Sequence, residues 1–326
     1  MRVFVTGGTG LLGNTILRQL TDAGHESAAL VRQQPETDVF KGIDTEFVTG
    51  DLLDKQLIET AVQNCDAVIH AAGLIHIGWQ RLGESMRVNG EGTQVMVDAC
   101  LRNRKKLIYV GTVNTLAVGS RERPADETTD PTNGGGQVPC SYVVSKRAGV
   151  EEVKRGVARG LQAVILCPGF MLGPWDWKPS SGRMMIALSK GWKVIAPNGG
   201  CSVCDVRDVA AATIASIEKD LPSGRQFILA GENMTYKQLW TEIARRFSKR
   251  PPLMKAGLLQ CWVAGAAGDT IARFAPEPDF NSAGVRMSSQ YHWYDSTRAR
   301  EELDYRPRHV DQSIDAAARW VKEHQP

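Results

Sequence analysis

Tyr142 and Lys146 are the two side chains whose types and spacing point most directly to chemistry. They stand four residues apart in CSYVVSKRAG (140–149), a segment with a helical pattern, and this spacing puts both on one helix face. A phenol with a pKa near ~10 exchanges its proton poorly at neutral pH, and a nearby positive charge lowers that pKa. The pair is therefore a candidate general acid and base. A surface Tyr beside a solvated Lys is the alternative, because this spacing is common.

A glycine-rich turn near the N-terminus predicts a second functional element. In VFVTGGTGLLGNTIL (3–17), Gly7, Gly10 and Gly13 lie between a buried strand and a helix. Glycines at this spacing allow a tight turn and a close approach of the backbone to a pyrophosphate, which then faces the helix N-terminus. The turn predicts a dinucleotide site, and a strand–helix turn without a ligand is the alternative.

The residue that ends the second strand discriminates between the two nicotinamide dinucleotides. A carboxylate there binds the ribose 2′-hydroxyl of NAD, whereas an Arg accommodates the 2′-phosphate of NADP. In AALVRQQPE (28–36) the strand ends at Arg32. We therefore expect NADP(H) as the preferred cofactor and NAD(H) as the second option. A solvated Arg at a strand end is the alternative interpretation.

Alternating strands and helices must position these residues. Short runs rich in Val and Ile predict strands that are buried on both faces. The predicted strands are 2–6, 27–31, 45–49, 67–71, 107–111 and 163–167, and the predicted helices are 11–23, 54–63, 79–102 and 140–158. This alternation predicts an α/β fold with a Rossmann-type, doubly wound parallel sheet.

The pattern changes after about residue 170. A loop rich in Pro, Trp and Gly (173–182) precedes a helix near 181–190, strand pieces near 193–196 and 226–230, and several helices. We predict an NADP-binding Rossmann domain at 1–170, to which 193–218 returns. The remainder, 171–326, is predicted to be a smaller, mostly helical substrate-binding region.

Charge and the length of the apolar segments argue against a nucleic-acid partner and against a membrane span. The chain has 326 residues and a formal net charge of +3 that is spread along the sequence, so we expect no nucleic-acid partner. The longest apolar stretch, 256–268, is too short to span a bilayer. We expect a buried or half-buried helix there, with a membrane-surface helix as the other option.

The cysteines bear on compartment and on metal binding. Seven cysteines are scattered through apolar segments, and the chain starts directly with a strand pattern. These features favour reduced thiols in a cytoplasmic protein. Cys201 and Cys204 have the spacing of half a metal site or of a redox pair, but no second Cys/His pair lies near them at zinc spacing. We therefore expect that Cys201 and Cys204 are two small residues on a strand and that the protein holds no metal.

The ordered set of motifs resembles the extended short-chain dehydrogenase/reductases of the NAD(P)-dependent epimerase/dehydratase superfamily. Within them it is most similar to the dihydroflavonol-4-reductase-like branch, and the resemblance runs nearly end to end. Beyond the glycine turn and the Tyr–Lys pair, the matching segments are GDLLD (50–54), HAAG (70–73), VNGEGT (88–93), CPGFMLGP (167–174), DVRDVA (205–210) and YDSTRAREELDYRP (294–307).

This resemblance implies a set of cofactor contacts. Asp51 would meet the adenine, HAAG would pass the cofactor ribose, and the Pro-Gly turn would lie beside the nicotinamide. The implied residues are Thr6, Gly7, Gly10, Leu11, Leu12, Gly13, Arg32, Asp51, Leu52, Ala71, Ala72, Gly73, Tyr142, Lys146, Pro168 and Gly169. A homodimer through the helices at 79–102 and 140–158 is a further family expectation.

The resemblance also implies a mechanism. NADPH would deliver hydride to a carbonyl carbon, Tyr142 would protonate the alkoxide, and Lys146 would lower the Tyr pKa and hold the nicotinamide ribose. The family's catalytic Ser is replaced by Thr112, whose hydroxyl makes the same hydrogen bonds, with Asn114 as the fallback and strand packing as the alternative. Asn89 would support a water relay to Lys146 or simply bend its helix.

Loops around the nicotinamide are expected to supply the substrate contacts. The candidates are His76, Trp79, Met171, Trp175 and Trp177. The tryptophans favour an apolar or aromatic pocket, and core or lid packing is the alternative. The resulting prediction is an NADPH-dependent reductase of a ketone or aldehyde on a small apolar or aromatic substrate. The alternatives are an NAD(P)-dependent sugar-nucleotide epimerase and a non-catalytic NADP(H)-binding sensor.

Overall fold

The computed structural model describes residues 1–34, 37–132 and 136–324. Its strands are β1 (Arg2–Thr6), β2 (Glu26–Val31), β3 (Glu46–Thr49), β4 (Ala67–His70), β5 (Lys106–Val110), β6 (Ala163–Pro168), β7 (Phe170–Leu172), β8 (Ile195–Ala196), β9 (Gly200–Asp205), β10 (Arg225–Leu229), β11 (Glu232–Thr235), β12 (Met254–Lys255) and β13 (Tyr291–His292). Its α-helices are α1 (Leu11–Asp22), α2 (Lys55–Gln63), α3 (Leu82–Met86), α4 (Gly92–Asn103), α5 (Ser141–Ala158), α6 (Gly182–Lys190), α7 (Val206–Glu218), α8 (Tyr236–Arg246), α9 (Leu258–Ile271), α10 (Ser282–Ser289), α11 (Thr297–Glu302) and α12 (Val310–His324).

The large sheet is parallel and has the order β10–β6–β5–β4–β1–β2–β3 within the described residues. The chain runs outward from β1 to β3 and starts again at β4, so the strand order reverses between β1 and β4. In such sheets, ligands bind outside the carboxyl ends of the strands at this point. The glycine turn follows β1 and HAAG begins at the end of β4, so the fold prediction is confirmed and both motifs lie at the reversal.

Helices cover both faces of this sheet. Along β1, Val3 and Val5 point into the core that α1 and α7 close, whereas Phe4 points into the core beneath α2, α4 and α5. This alternation follows from the two-residue period of a strand. It explains why the parallel strands read as continuous apolar runs.

The later part of the chain divides between the large sheet and smaller units. Strand β9 is the centre of a small sheet with β7, β11 and β13, and β8 pairs with β12. A third apolar core joins α6, α8 and α12. Helix α7 packs on α1, and β10 extends the large sheet beside β6. The predicted division at residue 170 stays a prediction.

The two cysteines of the C-x-x-C spacing lie in β9. Residues three apart on a strand point to opposite faces, and Cys201 and Cys204 accordingly pack into two different apolar cores. The spacing therefore does not bring the two thiols together. Among the described residues, no helix is long and apolar enough to cross a membrane.

Candidate active site

The glycine turn has the shape of a phosphate cradle. Gly7 has φ +82°, and a Cβ there would lie 2.7 Å from the backbone of Ala71 and Ala72. The Gly10 amide donates to Gly7 O at 2.9 Å. Helix α1 then begins with no side-chain cap within the described residues. Its first-turn N–H groups therefore face the turn where an anion would bind, so the turn fits a dinucleotide pyrophosphate.

A buried histidine locks the neighbouring strand ends together. Thr6 Oγ1 lies 2.7 Å from His70 Nδ1 and accepts a hydrogen bond from the Ala72 amide, while His70 Nε2 lies 3.3 Å from Thr93 Oγ1. Burial, with a smaller contribution from the Lys146 charge, lowers the pKa of His70 to about 3. His70 is thus a neutral structural link. Sequence reasoning missed this role, although His70 stands in the HAAG motif.

Helix α5 brings the Tyr–Lys pair to the carboxyl end of β5. Lys146 is buried, and its Nζ donates to Val110 O at 2.7 Å while lying 4.7 Å from the centroid of the Tyr109 ring. Burial lowers the pKa of Lys146 to about 8. The ammonium is therefore positioned by the end of β5, where the next residues begin the Thr112 turn.

The structure differs from the sequence argument over the Tyr142 proton. Lys146 was expected to lower the phenol pKa, but burial raises the pKa of Tyr142. The nearby Thr112 side chain lowers the Tyr142 pKa by hydrogen bonding and offsets part of that rise. Desolvation dominates because both the phenol and the ammonium are withdrawn from water, so Tyr142 is a protonated phenol at neutral pH.

Thr112, rather than Asn114, is the residue beside the phenol. Thr112 is buried at the start of a short 3-10 turn (Val113–Thr115), and its hydroxyl accepts from the Asn114 amide at 3.3 Å. The position before it has little room, since a Cβ on Gly111 would lie 3.2 Å from Leu166 O and 3.3 Å from Cys167 Sγ. This crowding favours a glycine directly before Thr112.

The predicted helix 79–102 is interrupted at Asn89. Helix α3 passes into a π-helix (Arg87–Glu91) and then into α4, a distortion that is frequent at functional sites. The Asn89 side chain accepts from the Leu74 amide at 2.8 Å and donates to Leu74 O and to Ser145 Oγ, each at 2.9 Å. Asn89 therefore clamps the loop after HAAG against α5, and its role in a water relay stays a prediction.

The remaining candidate cofactor residues line the carboxyl edge of the sheet. Arg32 is exposed directly after β2. The exposed Asp51 accepts from the Leu53 amide at 2.8 Å, and Leu52 packs against Gly92. Leu11 and Leu12 begin α1 and are buried, Gly73 lies beside Asn89, and Pro168 and Gly169 end β6 next to β10.

The His76–Trp79 loop reaches the start of α5 and is held by a residue that sequence reasoning missed. Glu277 has a side chain only 2% exposed and lies 2.8 Å from His76 Nε2. It also accepts from the backbone amides of Trp79 and Gln80, each at 3.0 Å. His76 O in turn accepts from the Tyr142 amide at 3.2 Å. The loop is thus fixed against the first turn of α5. The 201-residue separation of His76 and Glu277 leaves no local sequence signal for this contact.

The other substrate candidates, Met171, Trp175 and Trp177, pack on the side of the sheet that α1 covers. The Trp175 ring lies 4.9 Å from the guanidinium of Arg18 on α1. The Trp177 ring packs edge-on against Trp320 of α12 at 4.7 Å. Met171 lies in β7 and packs against the core under α1 and α7. These are packing contacts, and they do not support a substrate role for the two tryptophans.

The buried Lys146 ammonium predicts a specific pH dependence of stability. Its pKa is lower in the folded chain than the ordinary 10.5, so the unfolded chain binds more protons between pH 8 and pH 10.5. Below pH 8 the folded chain bears the full free-energy cost of burying the Lys146 ammonium, and this cost disappears as the pH rises through the window. The wild type should therefore gain stability as the pH rises, whereas Lys146→Met should not. The free energy of unfolding of Lys146→Met relative to that of the wild type should fall by on the order of 3 kcal/mol between pH 8 and pH 10.5.

Urea unfolding of the cofactor-free protein across this pH range tests the prediction, with Lys154→Met on the same helix as the exposed control. An unchanged difference would contradict a buried ammonium.

Comparison with known proteins agrees with this geometry. Residues 3–230 match the model of the NAD dependent epimerase/dehydratase family. A putative dihydroflavonol 4-reductase of Synechocystis sp. is 28% identical over 98% of this chain and 94% of its own length. Sterol demethylase protein B of Methylococcus capsulatus is 28% identical over 99% of each chain. The crystal structure of gox2253 has a TM-score of 0.85 at 28% identity and covers 99% of this chain and 98% of its own. The family match spans the glycine turn, Thr112 and the Tyr142–Lys146 pair.

Proposed function

This chain belongs to the NAD dependent epimerase/dehydratase family, and within it we propose an NADPH-dependent reductase of a ketone or aldehyde on a small apolar or aromatic substrate. Membership makes the protein an NAD(P)-dependent oxidoreductase that acts on CH–OH or carbonyl groups. The choice of NADPH and of reduction is the proposal. The names of the relatives, a dihydroflavonol reductase and a sterol-processing protein, support an apolar substrate.

The exposed position of Arg32 after β2 is the observation that favours NADPH over NADH. It is exposed at the carboxyl end of β2, where the adenosine ribose lies in folds of this type. None of the ion pairs between described residues includes Arg32, and the carboxylate that its charge acts on, Glu84, is paired with Arg81. A guanidinium matches the planar, bidentate recognition of a phosphate. This position therefore suits a 2′-phosphate better than a 2′-hydroxyl.

The protonation states of the site suit reduction. When bound, the cofactor supplies a hydride to the carbonyl carbon. Tyr142 is the proton donor, because its raised pKa keeps the phenol protonated at neutral pH. Thr112 donates a hydrogen bond to the carbonyl oxygen and stabilises the charge that develops on it. Lys146, with a pKa of about 8, remains largely cationic at neutral pH and holds the ribose of the nicotinamide.

Cofactor preference gives the sharpest test of this proposal. The wild type should bind NADPH more tightly than NADH, and Arg32→Ala should lose roughly tenfold to a hundredfold of NADPH affinity with little change for NADH. Fluorescence titration of the purified protein measures both. Gln33→Ala, an exposed neighbour of Arg32, is the matched control and should keep the preference.

Two outcomes would replace the proposal. A preference for NADH would remove the argument from Arg32. NAD that co-purifies and does not exchange would favour the sugar-nucleotide epimerase, which recycles its cofactor on the enzyme. A non-catalytic sensor would bind NADPH but would show no turnover with any carbonyl in a screen of NADPH consumption.

A further inference from the structure

Helix α9 exposes an apolar surface that the described chain leaves uncovered. Its outward side chains are far more accessible than apolar residues usually are: Leu258 is 90% exposed, Trp262 is 71% exposed and Phe274, just after the helix, is 87% exposed. Large apolar residues rarely gather in this way on the surface of a monomer unless the patch contacts something. We call the α9 surface the set Leu253, Met254, Leu258, Leu259, Trp262, Val263, Ile271 and Phe274, all of them exposed.

The exposure follows from how α9 packs. Its inward face carries Gly265 and Gly268, which are buried against the start of α10. A Cβ on Gly268 would lie 2.6 Å from Phe280 O, and one on Gly265 would lie 3.1 Å from the Ser282 Cα. The small residues let α9 lie directly on this backbone. Leu259 and Val263 are therefore on the opposite face, which points away from the protein, whereas Trp262 and Ile271 lie between the two faces.

Cations outside the ion pairs flank this apolar surface along the chain. Residues 249–274 contain four cations, Lys249, Arg250, Lys255 and Arg273, against one carboxylate, Asp269. None of the ion pairs between described residues includes any of these four cations. Asp269 is itself used, because its Oδ1 accepts from the Ser282 amide at 2.9 Å. The surface is thus apolar along α9, and its cations stand before and after the helix.

We propose that the α9 surface docks on an anionic lipid bilayer. An apolar centre with aromatic residues and a basic rim is the arrangement that helices lying in the membrane interface use. At 14 residues, α9 is about 21 Å long, which is shorter than the hydrocarbon core. The helix therefore lies within the interface and does not span it. This inference rests on exposure and charge, and does not depend on the proposed reductase activity.

The position of the surface gives docking a consequence for the site. Glu277 follows α9 closely and holds the His76–Trp79 loop. Gln80, the residue after this loop, donates to Ala272 O at 2.7 Å. Docking would therefore bring this loop, which contacts the Tyr142 backbone, close to the lipid headgroups. A second copy of the chain is the less favourable occupant, since it would bring a second set of the same unpaired cations to the interface.

Vesicle sedimentation of the full chain tests the proposal. The protein should pellet with vesicles of phosphatidylcholine and phosphatidylglycerol in equal parts, and much less with phosphatidylcholine alone. The triple variant Leu258→Ser/Trp262→Ser/Phe274→Ser should lower the partition coefficient more than about a hundredfold. Lys249→Glu/Arg250→Glu should lower it on the order of tenfold or more, as should high salt.

A matched control and a Tm measurement separate docking from misfolding. Lys178→Glu reverses an exposed charge elsewhere. This variant should sediment like the wild type, and the triple variant should keep the wild-type Tm because its altered side chains are mostly solvated. Absence of binding to either vesicle would overturn the proposal. A concentration-dependent dimer in light scattering that Trp262→Ser abolishes would also overturn it, in favour of a contact between copies.

Discussion

Tyr142→Phe should lower kcat by roughly a hundredfold to ten-thousandfold, which is the range that a positioned general acid contributes. The substitution removes only the phenolic oxygen, and the ring that packs against Val138, Cys140 and Val143 is retained. Affinity for NADPH should therefore stay within a few fold of the wild type. Steady-state turnover of a carbonyl substrate found by screening, together with fluorescence titration of NADPH, measures the two effects separately.

Tyr109→Phe is the matched control for the Tyr142 experiment. Tyr109 is fully buried, its ring centroid lies 4.7 Å from the Lys146 ammonium, and its hydroxyl lies near the Thr93 side chain rather than near Thr112. Removing that hydroxyl should leave kcat within a few fold. If Tyr142→Phe retained full turnover, the proton would have to come from another group. If both variants lost NADPH binding, the loss would reflect damage to the fold.

The features of the fold that were predicted correctly are those with local patterns. The strand β1, its glycines and the helix α1 lie within one short segment, so residue period and turn chemistry specify them. The strand order then follows from rules of connection and handedness. The position of β10 beside β6 was not predicted, because a short apolar run does not show which sheet it will join.

The site was predicted in part for the same reason. Tyr142 and Lys146 come from a motif with fixed spacing, Thr112 comes from the family resemblance, and the structure places all three near the end of β5. Glu277 is brought to His76 only by the tertiary fold. Trp175 and Trp177 were proposed from residue type and from their place after the Pro-Gly turn, and neither reveals that residues of α1 and α12 contact their rings.

The upward shift of the Tyr142 pKa shows that residue spacing alone does not determine the protonation of a side chain. A separation of four residues establishes that the ammonium and the phenol share a helix face, but the pKa depends on the balance of charge and desolvation. Burial withdraws both groups from water, and Lys146 Nζ is hydrogen-bonded to Val110 O. The tertiary environment therefore reverses the sign that the pair alone would give. A bound cofactor adds negative charge near Tyr142 and Lys146 and so changes their pKa values. The pH dependence of NADPH affinity would detect this change.

Gly13→Ala should abolish NADPH binding and destabilise the chain by at least about 3 kcal/mol, which is roughly 4 °C in Tm for a protein of this length. A Cβ at Gly13 would lie 2.2 Å from Gly7 O and 2.5 Å from Gly7 C. These are backbone atoms, so no side chain can move aside, and the turn must separate from α1. That separation would displace the amides that face the pyrophosphate. Calorimetry of the cofactor-free protein and titration with NADPH measure the two losses.

Gly10→Ala provides the comparison that makes the Gly13 prediction specific. A Cβ at Gly10 would meet Gly7 O at 3.4 Å, which is an ordinary contact, and the residue has φ −92°, a value open to alanine. The cofactor-free Gly10→Ala protein should therefore keep its Tm within about 1 °C, since alanine at an unstrained position costs little. Any weakening of NADPH binding in that variant would come from the ligand side of the turn. Equal loss of Tm in both variants would mean that close packing of the turn on α1 does not set the stability of this segment. A Tm loss confined to Gly13→Ala would place the geometric requirement at the third glycine, where strand, turn and helix meet.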